Sequence, residues 1–247
     1  FYGQFGQTTA FMEHLYSLEG YEPLNLLAYS QFISAAVDSK LHKDYKLEVK
    51  LESKETNTKR TMDLLGVKYL IYNASDPRSP FVFPVWSYDQ NLFPEIFNDG
   101  KFIIFDNLNK ISRVKLYSDY KIIPNKEETL RLLFSPAFDI MTTVILEQNP
   151  GISADNLSTG SANIINYQPN EIKLKTSTVK FSILFMSDNY FPGWKAYVNG
   201  NILPIIRTDF SFRSVVVPPG NNLVIFKYEP ESFKYGVIIS SISLLLI

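Results

Sequence analysis

Three charged residues late in the chain are the first candidates for chemistry: Asp188, Asp209 and Arg213. Two carboxylates flanking a sugar would resemble the acid/base pair of a glycosidase. The competing reading is structural: Asp188 before Asn189 is an ordinary turn opening, and Arg213 would pair with a nearby carboxylate. Beside the charges stand three rings, Tyr190, Phe191 and Trp194. Aromatic faces stack on the apolar faces of sugars and settle at membrane interfaces, and they also fill sandwich cores. Trp194, Ala196 and Val198 alternate with Lys195 and Tyr197, which points Trp194 inward and leaves Tyr190 as the ring expected at the surface. No residue is assigned to catalysis. Asp188, Tyr190, Trp194, Asp209 and Arg213 form a candidate glycan- or acceptor-binding set.

Elsewhere the sequence excludes more chemistry than it offers. It has no cysteine, which removes disulfides, zinc–thiolate sites and thiol nucleophiles. His14 and His42 are the only histidines and stand in unrelated contexts, so neither a zinc site nor a Ser-His-Asp triad is expected. There is no Gly-x-Gly-x-x-Gly loop and no P-loop, and no cofactor or metal is expected. Lys and Arg total 24 against 25 Asp and Glu; so balanced a chain has no global pull toward nucleic acid. Asn73-Ala74-Ser75 and Asn156-Leu157-Ser158 match the glycosylation sequon and read as loop residues.

The elements that must position these groups follow from periodicity and turn chemistry. The chain has 247 residues, 45% of them hydrophobic and 15% aromatic. That is one large domain or two small ones with a real core, and the abundance of Phe and Tyr favours strands. Helical spacing is read over Thr8–Leu18 and Leu24–Val37, broken at Gly20–Pro23. Arg60–Leu65 reads as a helix closed by Gly66, followed by a strand over Val67–Tyr72. Asn91–Gly100 reads as a short helix or loop, and Lys101–Asp106 and Arg113–Tyr120 as strands. Lys126–Phe134 is a helix capped by Asn125, with Glu127 and Glu128 in its first turn. After a strand over Met141–Leu146 and a polar loop, helix signals vanish from Ser161 onward. Strands are expected at Ala162–Tyr167, Glu171–Thr176, Lys180–Met186, Trp194–Val198, Ile202–Arg207, Phe212–Val217 and Leu223–Tyr228, spaced as in a sandwich or barrel. The resulting class is α+β. A small α/β subdomain spans 1–135, an antiparallel, jelly-roll-like β-sandwich spans 136–232, and the start of a transmembrane helix spans 233–247.

Turn mechanisms sharpen residues 187–230. Pro192-Gly193 suits a type II turn and Asn199-Gly200 a type I′ hairpin, and Pro219-Gly220 makes a third turn. The run Ser187-Asp188-Asn189-Tyr190-Phe191-Pro192-Gly193-Trp194-Lys195-Ala196-Tyr197-Val198-Asn199-Gly200 resembles the hallmark of the YfhO family of bacterial membrane proteins. So do Arg213, the Pro-Pro-Gly turn, the strand end Phe226–Pro230 and the apolar run that follows. Upstream, Gly20–Leu24 resembles the family's Gly-Tyr-Asp-Pro-Leu segment and Leu65–Ile71 its Leu-Gly-Val-Lys-Tyr strand. One stretch departs: the family often carries an Asn-Pro motif and then a Pro-Arg pair, whereas Asn107–Arg113 lacks both prolines. The resemblance implies a polytopic membrane protein similar to glycosyltransferases of the GT-C architecture, which move sugar from a polyprenyl-phosphate carrier to an extracytoplasmic polymer. In that architecture the catalytic carboxylate sits in an early loop between membrane helices, outside this chain.

Gly236–Ile247 runs for twelve residues without a charge. A membrane helix needs about 20 apolar residues, and the run reads as the beginning of one, with a buried terminal strand or helix as the competing reading. The expected partners are therefore the lipid bilayer, through this helix, and a polyprenyl-phosphate-linked sugar or an envelope glycan, on the extracytoplasmic side of a cell membrane. A surface-anchored module that binds glycan or protein is the rival function.

Overall fold

The structure, a computed structural model, describes residues 2–3, 20–21, 26–44, 48–49, 51, 56–74, 89–154 and 160–245. The chain forms two compact units, residues 1–113 with 125–141 and residues 114–124 with 142–247.

The first unit contains β1 (Tyr2–Gly3), β2 (Gly20–Tyr21), α1 (Leu27–Ser34), β3 (Glu48–Val49), α2 (Thr56–Leu64), β4 (Tyr69–Asn73), β5 (Glu95–Asn98), β6 (Phe102–Asp106) and α3 (Lys126–Leu133). A four-stranded sheet runs in the order β1-β4-β6-β5, with β1 parallel to β4 and the rest antiparallel. The helix expected over Thr8–Leu18 lies outside the described residues. Gly66 ends α2 as expected: its φ is +67°, and a Cβ there would lie 2.9 Å from the Ile111 carbonyl oxygen. Only glycine meets both the left-handed backbone and the close approach. Asn125 caps α3, its side chain accepting from the Glu128 amide at 2.9 Å.

Two expectations fail in this unit. Asn91–Gly100, read as helix or loop, contains the edge strand β5. All four residues of β5 are exposed, so the in–out alternation that marks a half-buried strand is missing. Asn73, read as loop, is the last residue of β4 and pairs with Phe102.

The second unit contains β7 (Val114–Tyr117), β8 (Asp119–Ile122), β9 (Thr143–Leu146), β10 (Gly160–Gln168), β11 (Glu171–Thr178), β12 (Ser182–Asn189), β13 (Trp194–Val198), β14 (Asn201–Leu203), β15 (Ile206–Thr208), β16 (Phe212–Val217), β17 (Gly220–Tyr228) and α4 (Glu231–Leu245). One sheet is β10-β11-β17-β13-β14 and the other β7-β12-β16-β15-β9-β8. All pairs are antiparallel except β8 with β9. That parallel pair makes the second sheet mixed; a parallel pair needs a long crossover, and the one here carries α3. The core joins both sheets: Leu174, Ala196, Val224 and Phe226 from one meet Leu184, Met186, Val215 and Val217 from the other. The α+β class and the β-sandwich read from the sequence are both present.

The single strand expected over Ile202–Arg207 is two. Pro204 separates β14 from β15, and they belong to different sheets. Proline has no amide to give to a ladder, so the chain changes sheets there. Arg113–Tyr120 likewise divides into β7 and β8.

Beyond β17 the chain continues through Glu229 and Pro230 into α4. No Asp, Glu, Lys or Arg follows Lys234 in it. No helix among the described residues is long and apolar enough to cross a membrane.

Candidate functional site

The candidate site is built where β12 meets β16. Their register runs in step to Met186–Arg213 and then shifts, so that Asn189 is the next partner, opposite Phe212. The bulge frees Ser187 and Asp188 from the ladder and turns Asp188 toward Arg213. Arg213 Nη2 donates to Asp188 Oδ2 at 3.0 Å, and the Tyr167 hydroxyl donates to the same oxygen at 2.9 Å. The Arg213 side chain is 2% exposed and that of Asp188 is 12%. The guanidinium also lies over the Trp194 ring, 4.1 Å from its centroid, with Phe226 at 5.3 Å.

A desolvated ion pair is tolerable only when further contacts offset the lost hydration. Tyr167 bonds the acid, and Trp194 and Phe226 offer ring faces that favour a cation by about 2 kcal/mol when desolvated. The result is a fixed structural node. It holds the Trp194 indole against the sandwich, and its acid serves as an acceptor for two donors.

Asp209 is used differently. It is 2% exposed, and its Oδ1 accepts from the Ile145 amide at 2.8 Å. Its own amide donates to the Ile145 carbonyl at 2.8 Å. Asp209 and Phe210 both have positive φ, +46° and +75°. Asp tolerates this backbone, whereas Phe is strained in it. The carboxylate thus clamps a tight β15–β16 turn to β9. Of the five candidates, Asp188, Arg213 and Trp194 are brought together.

Tyr190 is half-buried under the Arg207 guanidinium, 4.7 Å from the ring centroid. The exposed ring is its neighbour Phe191, at 42%, which corrects the expectation placed on Tyr190. The cause is local: the Tyr190 amide is held by the Ser211 carbonyl at 2.7 Å, and the chain then turns away at Phe191-Pro192-Gly193. Trp194 is half-buried and packs on the core as its alternation implied. Sequence spacing missed Tyr167 and Phe226, which complete the node from β10 and β17. Their roles depend on pairings between strands far apart in the chain.

The turn is locked to the start of α4. Gly193 has φ +100°, and a Cβ on it would lie 2.9 Å from Tyr228 Cε2 and 3.1 Å from Pro230 Cβ. The Glu229 amide donates to the Gly193 carbonyl at 2.7 Å. Glu229 accepts from the Tyr197 hydroxyl at 2.9 Å and pairs with Lys227 at 3.2 Å and Lys195 at 3.5 Å. Tyr197 and then Lys227 hold its carboxyl below the usual range. Lys195 also reaches Glu231 in the first turn of α4 at 3.4 Å.

Residues 152–240 match the family described as bacterial membrane protein YfhO. The matched stretch takes in β10 to β17, the Asp188–Arg213–Trp194 node and the start of α4. The resemblance read from Ser187–Gly200 holds there; Gly20–Leu24 and Leu65–Ile71 lie outside the match. No curated protein and no solved structure matches the chain.

Among the described residues of the first unit, a further polar cluster lies where the sequence departs from the YfhO pattern. Asn107 is fully buried, and its side chain donates to Asp63 Oδ1 at 2.8 Å and to the Val67 carbonyl at 3.1 Å. Burial pushes the Asp63 carboxyl above its ordinary range, opposed by Asn107 and Lys59. The cluster ties α2 to the loop after β6 by interior bonds. His42 sits at the surface, 2.9 Å from Asp38; His14 and Asn156 lie outside the described residues. Among the described residues, no group of three or more His, Asp or Glu could hold a metal ion.

Proposed function

We propose that this chain is the extracytoplasmic, membrane-proximal part of a polytopic membrane protein similar to glycosyltransferases of the GT-C architecture. In this reading α4 begins a membrane-spanning helix. The sandwich assists transfer of sugar from a polyprenyl-phosphate carrier to a cell-envelope polymer by shaping the acceptor or carrier site. Catalytic carboxylates belong to other loops of such a protein, and this chain contributes binding surface. The observation that carries the reading is the junction. The stretch matched to a family of bacterial membrane proteins includes a strand bonded on both sides and follows it through Glu229-Pro230 into a helix without a charge after Lys234.

Two measurements test it. A cysteine placed at Asn221, exposed on β17, should react with an impermeant maleimide added outside intact cells; reaction only after lysis would overturn the sidedness. Asp188→Asn and Arg213→Lys should lower sugar transfer to acceptor in the membrane protein. Full transfer by both variants, each melting as the parent, would discard the binding-site assignment.

A second reading, a membrane-anchored module that binds glycan or protein, is favoured by the outward face of the five-stranded sheet. Tyr197 stands there opposite Ile202, which is 63% exposed, with Leu223 at 42%. Glycan binding that persists without any sugar transfer would support this second reading.

A further inference from the structure

The Phe191-Pro192-Gly193 turn has no assigned role beyond framing the node, yet its tip is apolar and exposed. Phe191 is 42% exposed, and Pro192 is exposed beside it. The turn cannot drift from α4, because the Gly193 carbonyl takes the Glu229 amide and Gly193 packs on Pro230. The Phe191 and Trp194 rings lie 6.3 and 5.5 Å from that of Tyr228, two residues before Pro230. Within the first two turns of α4, Phe233 is 70% exposed and Tyr235 63%. Glu231, at the start of α4, pairs with Lys195 at 3.4 Å and with Lys234 at 3.2 Å.

Aromatic rings with flanking lysines, directly before an uncharged helical run, have the composition of a membrane–water interface. At a bilayer surface the tip buries its ring among the headgroups and the first methylenes, and its rigid tie to α4 sets the depth.

We propose that Phe191-Pro192, with Phe233 and Tyr235, is a footing that rests the sandwich in the lipid headgroup layer beside α4. The partner is the bilayer itself. This rests on the reading that α4 enters the membrane. The Asp188–Arg213–Trp194 node stiffens the footing from above, and the far end of the sandwich, at Asn199-Gly200 and Asn221, stays in water.

The absence of cysteine makes the test direct. Single cysteines at Phe191, Pro192, Ile239 and Asn221 are spin-labelled in the whole membrane protein that carries this chain, any cysteine elsewhere in it replaced, after reconstitution into vesicles of phosphatidylethanolamine and phosphatidylglycerol. Depth is read from the competition between oxygen and a water-soluble nickel complex. Labels at 191 and 192 are expected about 5–10 Å inside the headgroup boundary, the label at 239 among the acyl chains, and that at 221 in water. If the label at 239 is in water, the membrane reading fails and the footing with it. If 239 lies in lipid while 191 and 192 are reached by nickel, the footing is wrong and the membrane reading stands. Labels at 191 and 192 shielded from both reagents mark a protein contact, a second copy included, and also overturn the footing. Pro192→Cys keeps the test open should Phe191→Cys not fold.

Discussion

Removing the Asp188 carboxylate is the sharpest test of what holds the Pro-Gly-Trp turn. The Arg213 side chain is 2% exposed, and in Asp188→Ala it loses the 3.0 Å bond to its acid while the Tyr167 hydroxyl loses its 2.9 Å acceptor. Stranding one member of a buried pair costs about 3–5 kcal/mol. Asp188 is 12% exposed, so water reaches the vacated space and the lower end applies, about 3 kcal/mol. At about 4 °C per kcal/mol for a domain of this size, the melting temperature should fall by about 12 °C. Arg213→Met alone should cost about 2–3 kcal/mol, since it forfeits the ring contacts with Trp194 and Phe226 and leaves Asp188 near the surface. The double variant Asp188→Leu with Arg213→Met replaces the pair with apolar volume and should lie within about 1 kcal/mol of the parent. Denaturant unfolding of the parent, the Asp188→Leu and Arg213→Met singles and the double gives the coupling energy directly. A double variant destabilised by the sum of its singles refutes the reasoning, because the two groups would then act independently.

Gly193→Ala should cost about 2–3 kcal/mol, since a Cβ there meets Tyr228 and Pro230 on a left-handed backbone. Gly200→Ala, with a similar φ but nothing within 4 Å, should cost about 1 kcal/mol, and equal melting shifts for the two would deny the packing role of Gly193. Asp63 has a raised folded carboxyl, so its contribution to the first unit is whole below the unfolded value and is lost as pH rises through the raised one. Unfolding measured from pH 3 to 8 should show that loss in the parent and not in Asp63→Asn. Glu229 is the opposite case: its lowered carboxyl adds stability above its ordinary value that fades as pH falls through the depressed one. Glu229→Gln should flatten the acid side of the second unit's stability curve, and an unchanged curve would show that the Tyr197 and Lys227 contacts contribute nothing.

Where local chemistry decides the backbone, the sequence was readable. Asn199 and Gly200 take the two positive φ values, 50° and 86°, that a type I′ hairpin requires. Asn125 caps its helix, Gly66 ends another, and the alternation from Trp194 to Val198 matches the burial of Ala196 and Val198. Unreadable features depend on partners distant in sequence. Nothing in Val114–Tyr117 states that it pairs with β12, or that β8 and β9 run parallel across a helix. The edge strand β5 has no buried face to give it a period. The candidate site divides the same way: the aromatic run and Arg213 were visible, while the bulge that turns Asp188 to Arg213 arises from a register no single strand encodes. Pro204 was visible too, and its meaning was available: a strand cannot pass through it without a break.

The position of β17 has a mechanical consequence. It lies between β11 and β13 and is antiparallel to both, with eight residues in register with the first and five with the second. A pull directed along β17 loads both ladders at once. Such a load shears the hydrogen bonds together, where a pull on an edge strand would open them one at a time. The sandwich therefore joins α4 through the strand best placed to carry tension, and a displacement of the helix along that strand would move the five-stranded sheet as a body before it peeled any strand away.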